Sequence, residues 1–488
     1  MFDKWSAEGR AELVFDLDQT DQLAKLQDFY GAAAPRVLEE VLGHAYRLGA
    51  HTAVVEPRYV DADYRNEHSR FYSTTFRRYP SVAHRMHFFG DTTASLTAGA
   101  AKPFRFRNRD YVGYTVLRPV AAAPVGRTLL RTAPVVERQA IACLARDTVN
   151  LFGSDLAVVG VPFYAQDAQL SRCGQATMLT TAYYHHLAFG QPRFLPGDLA
   201  DAITGSGGEL GRLLPSPGLN IDQLVDAASA IGLPPVVYPL ERFEAGGLDV
   251  EATICRYLNS RLPVTVATHD HAFLIVGYER SRRGDGSTHV RFLRQDDEMG
   301  PYQWVDQWRL DETYGRWQYV IAPLPPKVYL KGEEAEEIGK RTVLNTLRAS
   351  GDAQDLALLA MLDDPARPLS WRSAVIPSNE FKRSVSVRGL RDDMAAAYQF
   401  AHLSRYVWVV ELTDRALRDE RQPCVYAEAV IDATDHERDP RQLAWRLPSG
   451  LGMYLPDVDK TVPGPRPGMT EPIRSVIETF QPHVPRTP

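Results

Sequence analysis

The spacing of apolar residues changes along the chain, and the changes mark out its elements. Between residues 21 and 48 the apolar positions recur at helical spacing, Leu23, Leu26 and Phe29, then Val37, Leu38, Val41, Leu42 and Ala45. Pro35 divides that run into two helices, and residues 1–55 read as helical throughout. From about residue 57 the period shortens. Residues 110–120 (DYVGYTVLRPV) alternate as a strand, 126–131 (GRTLLR) predict another, and 155–164 (DLAVVGVPFY) a short buried strand or extended lead-in. Helical spacing returns after Cys173, where Ala176, Leu179, Ala182, Tyr183 and Leu187 share one face. Next come a helix and strand in GLNIDQLVDAASAIGLPPVVY, with Asn220 as cap and Gln223 completing a capping box. Residues 263–267 and 271–278 read as strands, and 289–294 pairs with the latter across the polar turn SRRGDGS. Past the connection PLPPK, helices are expected at 333–347 and 353–362 and strands at 406–412 and 424–431. The Pro/Gly-rich tail from Val462 is expected to run extended over the surface.

The expected fold class is α+β. The chain's 488 residues exceed one ordinary core, since domains hold roughly 100–200 residues. Three regions are expected: a helical then mixed region at 1–155, a domain carrying the chemistry at 156–325, and a mixed region at 326–488 with a Pro-rich tail. A net charge of -6 lacks the basic excess of a nucleic-acid binder. The first residues are too acidic and too weakly apolar for a signal peptide, and no apolar run of about 18 residues predicts a membrane span. The four cysteines, Cys143, Cys173, Cys255 and Cys424, lie far apart, which argues against a disulfide framework and for a reducing, cytoplasmic setting. Cys143, Cys255 and Cys424 are expected to be small buried hydrophobes. The same core role is expected for Tyr64, Phe71, Tyr72 and Phe76.

Cys173 differs from the other cysteines by opening a helix. Unpaired N–H groups and the partial positive charge there stabilise a thiolate, the nucleophilic form. His271 opens a strand, a position rigid enough for a general base. The following hairpin returns Asp296 or Asp297 to the start of that strand, where a carboxylate can fix the imidazole tautomer and stabilise its cation. Gln166 and Gln169, upstream of the cysteine, are candidate donors to an oxyanion, with the backbone N–H of Cys173. His269 and His271, joined by His185 and His186, could bind a metal, but no spacing such as HExxH supports that, and neither metal nor cofactor is expected. The His185–His186 pair is expected on a helix surface.

In these residues the chain resembles the papain-like cysteine peptidases, and most closely the double-glycine leader peptidases, over residues 156–325. Cys173-Gly174 opening a helix, His271 ahead of AFLIVGY, and Asp296 follow the family's order. The glutamines do not keep the family's spacing: Gln166 stands seven residues before Cys173 and Gln169 four, where the family has six. The resemblance implies a helix bearing the cysteine, packed on an antiparallel sheet bearing the histidine and aspartate. It implies hydrolysis of a peptide or isopeptide bond in a polypeptide substrate through a covalent acyl-enzyme. Deamidation or acyl transfer by the same residues, and a non-catalytic binding protein on the same fold, are the alternatives. No transporter segment is read in the chain, so leader peptides are not the expected substrate.

Overall fold

The computed structural model describes residues 13–31, 35–92, 106–120, 123–132, 140–167, 172–204, 218–245, 248–282, 288–306, 311–364, 369–419, 422–435, 441–455, 460–463 and 471–481. The fold is mixed α and β with antiparallel sheets. The chain divides into two compact units. One takes Met1–Glu241, Pro263–Pro323 and His483–Pro488, the other Arg242–Leu262 and Leu324–Pro482. The regions expected at 1–155 and 156–325 thus contribute together to the first unit, apart from an excursion at 242–262.

The first unit opens with a five-stranded antiparallel sheet in sequence order: β1 (Val14–Asp16), β2 (Thr52–Tyr59), β3 (Ala83–Phe89), β4 (Tyr111–Leu117) and β5 (Val125–Leu130). Helices α1 (Thr20–Gly31) and α2 (Pro35–Arg47) match the predicted pair, with Pro35 in the first turn, where its missing N–H costs nothing. β1 and β2 correct the expectation that residues 1–55 are helical throughout. The run at 52–55, Thr-Ala-Val-Val, is too short to show a period, and its β-branched residues pair with β3.

A ribbon of β7 (Ala145–Leu151) and β8 (Ser154–Gly160) follows β6 (Ile141–Ala142). β8 alternates buried and partly exposed residues, so it is covered on one face, where a fully buried strand was expected. The unit's second sheet has seven strands. β13 (Gly300–Val305), β12 (Thr288–Asp296), β11 (Ala272–Arg282), β10 (Val264–Ala267), β14 (Tyr319–Pro323) and β9 (Pro235–Pro239) lie in that order, and β6 pairs with β11. A Cβ at Gly277 would stand 2.6 Å from the carbonyl oxygen of Ile141, so only glycine admits β6 there.

One apolar core joins the two sheets of this unit. Leu38, Val41, Val55 and Phe88 meet Leu274, Val276 and Leu293 in it. Each fully buried aliphatic side chain contributes roughly 1.5–3 kcal/mol. A second core forms where the helix Cys173–Phe189 lies against β11. Ala176, Leu179 and Ala182 pack there with Leu224, Ala267 and Ala272.

The second unit is built on a six-stranded antiparallel meander in sequence order. Its strands are β15 (Leu369–Pro377), β16 (Tyr406–Asp414), β17 (Val425–Asp432), β18 (Gln442–Leu447), β19 (Gly450–Leu455) and β20 (Lys460–Pro463). The helix Gly332–Ser350 covers it. At its centre Arg388 donates to Glu428, which also accepts from the Tyr398 hydroxyl, and all three are buried. Of the tail expected to run extended from Val462, residues 464–470 and 482–488 lie outside the described residues, and 471–481 correct the expectation by forming a short helix, Val476–Phe480, with Val476, Ile477 and Phe480 buried. No helix among the described residues is long and apolar enough to cross a membrane.

Candidate active site

Cys173 is the first residue of its helix and partly exposed, whereas Cys143, Cys255 and Cys424 are buried, and none of the four is in a disulfide. The helix start is fixed by Gln175, whose side chain accepts from the backbone N–H of Arg172 at 3.1 Å. The helix ends at Gly190, in the left-handed conformation with φ 67°. Gly174 admits the next segment, since a Cβ there would lie 3.0 Å from the Leu219 side chain. The helix is tied to the sheet near the histidine, where the Thr177 hydroxyl donates to the Ala272 carbonyl at 3.1 Å.

His271 stands one residue before β11 and is buried. Its backbone is pinned from both sides by Thr268, whose N–H donates to the His271 carbonyl at 2.9 Å and whose hydroxyl accepts from the His271 N–H at 3.2 Å. The β11–β12 register sets Leu274 opposite Gln295, which returns Asp296, the last residue of β12, to the histidine. His271 Nε2 lies 3.4 Å from Asp296 Oδ1 and 3.8 Å from Asp297 Oδ1. These are ion-pair separations, and Nε2 makes no aligned hydrogen bond. The Cys173 thiol adjoins the same ring, close enough to favour its cation.

The electrostatics separate the two carboxylates. Burial works against a charged His271, but contact with Asp296 and Cys173 and the charges of Asp296 and Asp297 outweigh it, raising the imidazole to about 10. Burial also works against ionised Asp296. There His271, Arg294 and the Glu298 N–H prevail, and the carboxyl is held below its usual range. For Asp297 burial prevails over the pull of His271, aided by the charges of Asp296 and Glu298, and the carboxyl rises to about 8. At neutral pH the site therefore holds an imidazolium, one carboxylate and one protonated carboxyl.

No family model matches the chain, and no curated protein matches it. The functional case therefore rests on these side chains and their surroundings.

Of the residues singled out in the sequence, Cys173, His271, Asp296 and Asp297 come together. Gln166 sits at the acidic end of the site, its amide donating to Glu298 Oε1 at 2.6 Å, which leaves one amide N–H for other use. Gln169 lies outside the described residues. Six residues before Cys173 stands Asp167, a buried carboxylate that accepts from the Tyr72 hydroxyl at 2.6 Å. His269 is exposed and outside the cluster. His185 corrects the surface expectation: it is buried, packed against Tyr184 and Phe189 on its own helix. His186 is partly buried and bonds the Gln191 carbonyl through Nδ1 at 2.7 Å. Tyr64 and Tyr72 are buried as expected, but Phe76 is fully exposed.

Sequence reasoning missed Tyr314. Its ring stacks on His271 with centroids 4.1 Å apart, and its hydroxyl donates to Asp296 Oδ1 at 3.0 Å. Burial, and then the nearby Asp296 carboxylate, raise the phenol well above its usual range, so it keeps the proton it donates. Asp311 places Tyr314 by accepting from the backbone of Thr313 at 3.0 Å, the Trp317 indole at 3.2 Å and Arg294 at 3.2 Å. The one signal available was an aspartate opening a polar turn, which does not reveal where the third residue's ring will point.

Proposed function

We propose that the protein is a cysteine-dependent hydrolase of the papain-like kind, with Cys173 as nucleophile, His271 as base and Asp296 as the residue that orients the base. One observation carries this reading. A half-buried thiol at a helix start hydrogen-bonds an imidazole whose Nε2 faces a buried carboxylate. That arrangement leaves Nδ1 to hold the proton given up by the thiol, so the pair reacts as thiolate and imidazolium. The thiolate attacks an acyl carbon, and the backbone N–H of Cys173 stabilises the oxyanion, assisted by Gln166 or Gln169. The imidazolium passes its proton to the leaving amine, and water activated by His271 then cleaves the thioester. Tyr314 and Thr268 fix the ring and the carboxylate throughout. The substrate class proposed is a polypeptide, cut at a peptide or isopeptide bond.

The reading is tested by incubating the protein with a mixture of unfolded polypeptides and following products by mass spectrometry and ammonia release. Shortened peptides, absent with Cys173→Ser, are expected. Ammonia without shortening assigns the same residues to deamidation, and no Cys173-dependent product overturns the reading.

A further inference from the structure

The acidic side of the histidine carries more carboxyl groups and more unused donor atoms than a base-orienting aspartate requires. Among the described residues, Asp296, Asp297, Glu298 and Asp311 gather there, with Arg294 and the imidazole as their counter-charges. Arg294 places Nε 3.4 Å from Asp296 Oδ2 and Nη1 3.2 Å from Asp311. Asp296 is fully buried and Asp297 is 5% exposed. Even so, His271 Nε2, Asp296 Oδ2 and both Asp297 oxygens make no hydrogen bond. Burying such atoms unspent is costly unless something binds them.

We propose that His271, Asp296 and Asp297 form a binding site for a divalent cation of the zinc class, and that filling it withdraws His271 from Cys173. One donor atom from each residue lies within 4.8 Å of the others. Nε2 stands 3.4 and 3.8 Å from the two Oδ1 atoms. Four donors at zinc-ligand bond lengths stand about 3.4 Å apart in a tetrahedron, so small shifts suffice. The carboxylate of Asp296 is already oriented, since Oδ1 accepts from Tyr314 and from the Glu298 and Met299 N–H groups at 3.0–3.1 Å. One imidazole with two carboxylates suits zinc, whereas magnesium and calcium prefer six or more oxygens. The Cys173 sulfur is not among the clustered donors, so the cation binds on the far side of the ring. It displaces two protons, the one on Nε2 and the one Asp297 holds, and makes the ring a ligand instead of an acid–base group.

The metal site stands on the donor geometry. Only its effect on the thiol rests on the hydrolase reading. The test uses the full chain, stripped with a chelator and titrated with Zn²⁺ against a chromogenic competitor. One ion per chain is expected, with affinity lowered at least ~10-fold in Asp297→Asn and in His271→Ala and unchanged in Cys173→Ser. Circular dichroism of each variant checks its fold. In the wild type, stoichiometric zinc should slow alkylation of Cys173 at least ~10-fold by the same measure. Zinc affinity lost in Cys173→Ser, or retained in both folded Asp297→Asn and His271→Ala, overturns the site. Zinc that binds as expected, with alkylation slow in its absence too, upholds the site and counts against the hydrolase reading instead.

Discussion

The histidine's behaviour depends on two carboxylates of opposite character. Asp296 is hydrogen-bonded by Tyr314 and two backbone N–H groups and stays ionised. Asp297 has no hydrogen-bond donor and holds its proton to about 8. An acid whose folded value is raised weakens the fold as pH climbs from its unfolded value near 4 toward its folded one. Asp297→Asn removes that penalty. In metal-free buffer its melting temperature should match the wild type near pH 4 and exceed it increasingly up to about pH 8. A difference that shrinks over this range contradicts the assignment. His271 has the opposite sign: its raised value stabilises the fold fully below about 6.5, and the contribution is lost as pH rises toward 10. Tyr314→Phe keeps the stack but removes the hydroxyl. A hydrogen bond to a charged group contributes roughly 1.5–3 kcal/mol, so turnover should fall about tenfold or more. Its alkaline pH limb should also move to higher pH, because a carboxylate that loses a donor holds the imidazolium proton more tightly, while KM changes little. An unchanged pH profile would mean that the hydroxyl does not act through Asp296.

Among the elements, the helix at Cys173 and the β11–β12 hairpin were legible because each keeps one period for its length. The prediction at 271–278 extends to β11, and that at 289–294 to β12, so both carboxylates were placed beside the histidine by pairing alone. The capping box was legible too. Asn220 accepts from the Gln223 N–H at 2.9 Å, and Gln223 accepts in return from the Asn220 N–H at 3.1 Å. Asn220→Ala should therefore cost about 1 kcal/mol in denaturant unfolding and leave Cys173 alkylation unaltered. A loss of several kcal/mol would show that the cap supports more than its helix. Other features were not legible. β2 begins in a short apolar run, which periodicity cannot assign to helix or strand. β15 escaped notice because LSWRSAVIP mixes polar and apolar residues without strict alternation. His185 sits beside His186, and adjacency in sequence does not say which of two neighbours on a helix faces inward.

The whole molecule shows why the site could not be read completely from local pattern. The chain leaves the first unit after Glu241, returns at Pro263 and leaves again after Pro323. Cys173 comes before that excursion, and His271, Asp296 and Tyr314 come after it. Sheet order also departs from sequence order here: β14 lies between β10 and β9. A helix start from before the excursion and a hairpin and a turn from after it therefore meet at the imidazole. Hydrophobic spacing specifies the elements and their faces, whereas the contacts of Tyr314, Asp311 and Arg294 depend on how those elements close on one another.

The central claim concerns proton transfer between a sulfur and an imidazole, and the rate of iodoacetamide alkylation at Cys173 reports on it directly. In metal-free protein at pH 7, Cys173 should react far faster than Cys424, whose burial pushes its thiol up to about 12. His271→Ala should abolish that advantage. A wild-type rate at Cys173 as slow as that at Cys424, or a fast rate untouched by His271→Ala, would contradict the account.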